Sequence, residues 1–314
     1  MKASKIRSAL SALIDSKIPS FLWGPSGIGK SSIVKQIAVD KKVQFIDLNL
    51  SLMDSTDLKD KHSSLLPKDG EGILFLNGIN ASSTEVQAYS YKLIFEREVG
   101  EYKLPDGWTV VAAGKRGTDE GSVYKMPTSL ANRFVHLDME VDVNDWKDWA
   151  FHSGIDERII AYIAYKNEDL FTLEASSQER SFATPRSWEL VSGVLRSGMD
   201  EPLLLDVLKG TVGKDSAISF LEFSKVAYRL PDIEGILQKG EGDYPTEPDV
   251  LYTLSTVLVS FLLKFNNEEN LENVLKYILD LEPDFSVMIV QDLQRAGISM
   301  EHSESFVMWT NKFA

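Results

Sequence analysis

Apolar and polar positions alternate with two periods along this chain, and the periods change once. Residues 5–17 place Ile6, Leu10, Leu13 and Ile14 at helical spacing and predict an amphipathic helix. Five short apolar runs follow: Ser20–Trp23, Val43–Asn49, Gly72–Asn77, Trp108–Ala113 and Phe134–Asp138. Each reads as a strand, and the unbroken third run reads as a central one. Helical patterns lie between them at Ser31–Ala38 and Thr84–Phe95, while residues 50–71 are mixed and polar, a loop with a short helix. Residues 98–108 carry Pro105-Asp106-Gly107, a turn signature that predicts a hairpin. Strands alternating with helices imply a parallel sheet covered by helices.

After about residue 143 the strand period stops. Asp145–Phe151, Glu157–Tyr165, Pro185–Leu195 and Ala217–Arg229 read as helices, with Pro185 in a first turn, where a missing N–H costs little. Gln238–Pro248 is rich in glycine, proline and acid and reads as a linker. Beyond it the pattern is helical again, with Leu271, Val274, Leu275 and Ile278 on one face. The organisation expected is an α/β unit over 1–143, a helical unit over 144–237, a linker over 238–248 and a helical extension over 249–314. Val250–Phe265 is the most apolar stretch. It is shorter than a bilayer span and carries Thr253, Ser255, Thr256 and Ser260, so it reads as a buried helix.

The candidate chemistry sits between the first strand and the second helix. Gly24-Pro25-Ser26-Gly27-Ile28-Gly29-Lys30-Ser31 fits G-x-x-x-x-G-K-[ST], and Ser32 follows it. Glycines let successive N–H groups converge on a phosphate. A lysine places a cation on the terminal phosphates, a serine hydroxyl ligates Mg²⁺, and the following helix points its positive end at the same anion. Strand, glycine loop and helix together are the context this motif requires. The expected ligand is ATP or ADP with Mg²⁺.

Composition narrows the rest. The chain has 314 residues and no cysteine, which removes disulfides, thiol catalysis and cysteine metal sites. A net charge of −14 argues against a general nucleic-acid binder, although a local basic patch stays compatible with it. The first residues lack the apolar core of a signal peptide, so the expected location is cytoplasmic. His62, His136, His152 and His302 show no metal-ligand spacing, and His136 alternates with apolar residues as a structural histidine would. Trp146, Trp149, Trp188 and Trp309 fall on helices and read as core or interface.

Several further stretches resemble one family. Gly72-Ile73-Leu74-Phe75-Leu76-Asn77-Gly78-Ile79-Asn80 looks like a second nucleotide motif; Arg97–Trp108 (REVGEYKLPDGW), Met126–Phe134 (MPTSLANRF), Thr184–Trp188 (TPRSW) and Gly210-Thr211-Val212-Gly213 are similar, in order, to the MoxR-like AAA+ ATPases. The resemblance implies an α/β P-loop core with a five-stranded parallel sheet, an all-α lid and a helical extension. It also implies a homo-oligomeric ring such as a hexamer, chaperone-like remodelling of protein partners, and a von Willebrand factor A domain protein as one such partner. By resemblance Gly24, Gly29, Lys30 and Ser31 hold phosphates and Mg²⁺, Arg133 matches the arginine finger and Arg186 the second sensor. Both arginines would place a fixed cation on the charge spread in phosphoryl transfer. The alternative for each is an ordinary salt bridge.

The departures bear on hydrolysis. The family's third strand ends in Asp-Glu, and here those positions are Asn77 and Gly78. Asn77 keeps a metal-side oxygen but no charge, and Gly78 has no group to polarise water. The first sensor, an asparagine in the family, is Lys115. The expectation is a nucleotide binder with impaired hydrolysis. The alternative is an active remodelling motor, with Asp47, Asp54, Asp57, Asp119 or Glu120, or a neighbouring subunit, supplying the missing carboxylate.

Overall fold

The apolar runs pair side by side as one five-stranded sheet, all parallel. The computed structural model describes residues 1–59, 65–119, 126–173, 179–265 and 267–313. Its strands are β1 (Ser20–Trp23), β2 (Gln44–Asn49), β3 (Glu71–Asn77), β4 (Glu98–Val99), β5 (Tyr102–Lys103), β6 (Gly107–Gly114) and β7 (Val135–Asp138). The helices among them are α1 (Ala3–Asp15), α2 (Lys30–Lys41), α3 (Ser55–Lys59), α4 (Thr84–Phe95) and α5 (Thr128–Ala131). The central strand is β6, with β3 beside it. Both are buried along almost their whole length, as strands covered on two faces must be.

Two details depart from the sequence reading. The hairpin is β4–β5, and its turn is Gly100-Glu101 rather than Pro105-Asp106-Gly107. Gly100 supplies the left-handed φ of +59° there. Pro105 instead closes the entry to β6, where its carbonyl accepts from Trp108 N at 3.0 Å. In α1, Ile6, Leu10 and Ile14 are buried, while Leu13 is half-buried at the flank of the same face.

The chain divides into two compact units, one built on Met1–Asp142 and the other on Val143–Thr172 and the residues from Glu179 onward. The second unit is all helix: α6 (Val143–His152), α7 (Glu157–Tyr165), α8 (Pro185–Leu195), α9 (Glu201–Val212), α10 (Lys214–Ser224), α11 (Ile233–Lys239), α12 (Pro248–Lys264), α13 (Glu268–Ile278), α14 (Pro283–Arg295) and α15 (Glu304–Phe313). The helix expected over Ala217–Arg229 starts earlier, as α10, and ends in a 3-10 turn over Lys225–Arg229.

Residues 238–248 do not separate two bodies. They run inside the helical unit, where Tyr277 donates its hydroxyl to Asp243 O at 2.6 Å. One core joins Ile236 and Leu237 to Leu251, Leu258, Val274, Ile289 and Trp309. Tertiary packing overrides the polar composition of the segment. Among the described residues no helix is long and apolar enough to cross a membrane.

Candidate functional site

The glycine loop leaves β1 at Trp23 and enters α2 at Lys30. Gly24, Gly27 and Gly29 have φ of +152°, +80° and +99°, values that residues with a β-carbon rarely adopt. Gly24 has no room either: a Cβ there would lie 2.6 Å from Ile28 Cδ1 and 3.0 Å from Met139 O. Gly29 is the N-cap of α2 and makes no side-chain cap bond, so the first turn of α2 keeps amides that an anion could take. Lys30 folds back over the loop and donates Nζ to Gly24 O and Pro25 O, both at 2.6 Å. Backbone cradle, helix end and ammonium fit a polyphosphate.

The sheet brings the second motif to the same place. At the end of β3, Asn77 Nδ2 donates to Ser31 Oγ at 3.4 Å. These are the two residues expected on the metal side, and the structure puts them together. The donor set suits Mg²⁺ less well than it suits phosphate. Asn77 turns its amide nitrogen toward the hydroxyl, and among the described residues no cluster of three or more His, Asp or Glu side chains could hold a metal. A Mg²⁺ here would depend on Ser31 and on the nucleotide's own oxygens, because neither protein group carries the negative charge that such sites use.

Gly78 has φ +70° and opens a 3-10 turn over Ile79–Ala81. The backbone therefore turns away from the sheet where the family pattern carries a glutamate. Asn80, two residues on, is a residue beside the site that sequence reasoning quoted but gave no role. It is 2% exposed, its Nδ2 donates to Lys115 O at 2.6 Å, and its Oδ1 accepts from Lys115 N at 3.2 Å. This amide clamp fixes the backbone at Lys115, just beyond β6. Gly24 N donates to Gly114 O at 3.3 Å, so the clamp also borders the loop. A side chain that pairs both with its neighbour's N–H and C=O across two strand ends leaves no local sequence signal.

The candidate replacement carboxylates are differently placed. Asp119 is bound by Arg116 through its backbone N at 2.7 Å and Nε at 3.1 Å. Asp57 Oδ2 accepts from Asp54 N at 2.8 Å. Asp47 and Asp54 are exposed. Glu120 and His62 lie outside the described residues.

Arg133 is exposed and lies over the Phe95 ring, with Cζ 5.3 Å from its centroid. Among the described residues no carboxylate pairs with it. Arg186, in the helical unit, is the second residue of α8 and is also exposed without a carboxylate partner among the described residues. The start of α8 is held by a reciprocal cap: Thr184 Oγ1 accepts from Ser187 N at 3.1 Å, and Ser187 Oγ accepts from Thr184 N at 2.7 Å. Replacing Thr184 with Ala is expected to cost the full chain about 1 kcal/mol in a denaturant titration.

The other histidines and the tryptophans have local roles. His152 Nδ1 meets Asp148 O at 2.7 Å, and His302 is exposed. Trp146, Trp188 and Trp309 are buried and Trp149 is half-buried.

A glycine loop between β1 and α2, on a parallel sheet of order β2-β3-β6-β1-β7 covered by helices, gives the first unit the α/β architecture of a P-loop core. No protein-family model and no curated protein matches the chain. Solved structures similar to it include the Thermotoga maritima RuvB Holliday junction branch migration motor. It is 17% identical, with 84% of this chain and 76% of that one covered at a TM-score of 0.40. A putative ATPase from Cytophaga hutchinsonii is 15% identical, covering 92% and 80% at a TM-score of 0.35. NtrX from Brucella abortus, in complex with ADP, is 13% identical, covering 98% and 67% at a TM-score of 0.41. At these scores the site stands on its own residues.

Proposed function

We propose that this chain is a nucleotide-binding subunit of the MoxR-like AAA+ kind, which holds ATP or ADP and hydrolyses it slowly or not at all. The observation that carries this reading is one contrast within one site. The loop that would grip phosphate is complete, while the strand end beside it presents Asn77 to Ser31 and a left-handed Gly78 in place of two carboxylates. Binding keeps its groups and water activation loses its own. Nucleotide then serves to fix the conformation of the subunit. The role that follows is assembly or chaperone-like remodelling of protein partners, in a homo-oligomeric ring, with a von Willebrand factor A domain protein as a partner to test. By resemblance, Arg133 is the arginine finger toward a neighbouring subunit's nucleotide and Arg186 the second sensor.

The test is ligand binding by the full chain. ATP is expected to raise the melting temperature of the natural protein, because a ligand that binds the folded state stabilises it. Lys30→Ala removes a charge-assisted donor and is expected to weaken ATP roughly 10–100-fold, from about 1.5–3 kcal/mol for such a bond. A natural chain whose melting is indifferent to ATP and ADP at millimolar concentration would sink the reading.

A further inference from the structure

The loop and Arg133 are joined by a second set of contacts that phosphate binding does not require. Trp23 is one peptide bond from Gly24, and its indole Nε1 donates to His136 Nδ1 at 2.8 Å. To accept there, the imidazole must be neutral with its proton on Nε2. Nε2 lies 2.8 Å from Ala131 O and donates to it. The same carbonyl accepts from Phe134 N at 3.2 Å and so closes the turn 131–134 that carries Arg133.

An aromatic route runs beside the polar one. Trp23 stacks on Phe21 at 4.2 Å, Phe21 meets Phe134 at 5.5 Å, and Phe134 meets Phe95 at 5.0 Å, the ring under the Arg133 guanidinium. The rings also touch His136, with Trp23 stacked on it at 5.9 Å. His136 itself is exposed. Water could satisfy both nitrogens of an exposed imidazole, yet here both are spent, one on the strand entering the loop and one on the Arg133 turn.

Loop occupancy has a direct way to reach Trp23. Lys30 Nζ is bound to Gly24 O and Pro25 O, and a phosphate in the loop would compete with these carbonyls for its donors. Any bond it gives up there changes the partners of the peptide units next to Trp23.

We propose that His136 is a positioning residue that couples occupancy of the phosphate loop to the orientation of Arg133. The coupling rests on the reading of the loop as a nucleotide site. It requires the Trp23–His136–Ala131 bonds and not the stack alone.

The experiment follows side-chain NMR signals of the full chain, the indole N–H of tryptophan and the Nε–H of arginine. Trp23→Phe and Arg133→Lys assign the two resonances. Titrating the natural chain with ATP is expected to shift the Arg133 signal along the same saturation curve as the loop amides. In His136→Phe, ATP still shifts the loop amides with unchanged affinity, but the Arg133 shift is lost. Trp23→Phe keeps the aromatic stack and the His136–Ala131 bond and removes one donor, and it is expected to lose the Arg133 shift as well. This second variant guards against a folding failure in the first. An Arg133 signal that ignores ATP in the natural chain, or that responds fully in both variants, overturns the coupling. If ATP shifts no loop amide from Gly27 to Ser32, the nucleotide reading fails and takes the coupling with it.

Discussion

Changing Asn77→Asp and Gly78→Glu together is expected to raise steady-state ATP turnover with Mg²⁺ by on the order of 10²–10⁴, the usual contribution of a positioned general base. The aspartate would stand where Asn77 meets Ser31 at 3.4 Å and would give the metal a charged ligand. The glutamate would supply the group that polarises water. Space does not oppose it, since a Cβ on Gly78 would be 3.4 Å from its nearest neighbour, Asn49 Oδ1. The backbone does, because φ is +70°. A left-handed residue with a β-carbon costs about 1–2 kcal/mol. The catalytic gain corresponds to roughly 2.7–5.4 kcal/mol of barrier. The strain belongs to the folded ground state and not to the chemical step, so turnover should rise while stability falls. Asn77→Asp alone should tighten the dependence on Mg²⁺ with little turnover. If the natural chain already hydrolyses ATP at an ordinary rate that Lys30→Ala abolishes, the missing base is elsewhere. Asp119 is already tied to Arg116, while Asp54 is exposed.

Asp292→Ala is expected to lower the stability of the helical unit by about 3–5 kcal/mol, the cost of leaving a buried charge without its partner. Lys147 on α6 and Asp292 on α14 are 5% and 1% exposed in their side chains. Lys147 Nζ donates to both carboxylate oxygens, at 2.8 and 2.7 Å. Ser255 Oγ donates to the same carboxylate at 3.3 Å and Arg295 at 3.1 Å, so the ion is fully solvated by protein. Removing it strands an ammonium in the core with Arg295 close by. The double change Lys147→Met with Asp292→Leu should recover most of the loss, because no charge is then left unpaired. Urea unfolding of the three chains, followed by tryptophan emission, checks the order natural, double, single. A single variant as stable as the natural chain would mean that water reaches Lys147.

The sequence was most legible where the chemistry is local. Helices α4, α7 and α8 begin and end where read, because Ser83, Asp156 and Thr184 cap their first turns through their own side chains. The loop was legible because its glycines and Lys30 carry their constraints within eight residues. What failed was set by distant partners. The acidic, glycine-rich run after Gln238 packs inside the helical unit, with Gly242 against Ile236 and Tyr277. The turn residues at Pro105 serve β6 and not the hairpin. In the site, the pairing of Asn77 with Ser31 followed from the motifs. The Asn80 clamp on Lys115, the bed of Phe95 under Arg133 and the double use of His136 are contacts across 35, 38, 113 and 5 positions. Only the last is within reach of a local pattern.

The two carbonyls that hold Lys30 make nucleotide entry a substitution. The ammonium leaves Gly24 O and Pro25 O as it takes phosphate oxygens, so its bond count need not change. In a calorimeter this contact should release heat, since bonds to neutral carbonyls give way to stronger ones to anionic oxygens. What the substitution adds is charge, two neutral acceptors replaced by anionic ones. Selectivity at this position should therefore follow the ligand's ionic state: a fully ionised triphosphate displaces the carbonyls, and a neutral group of the same shape leaves the lysine where it is.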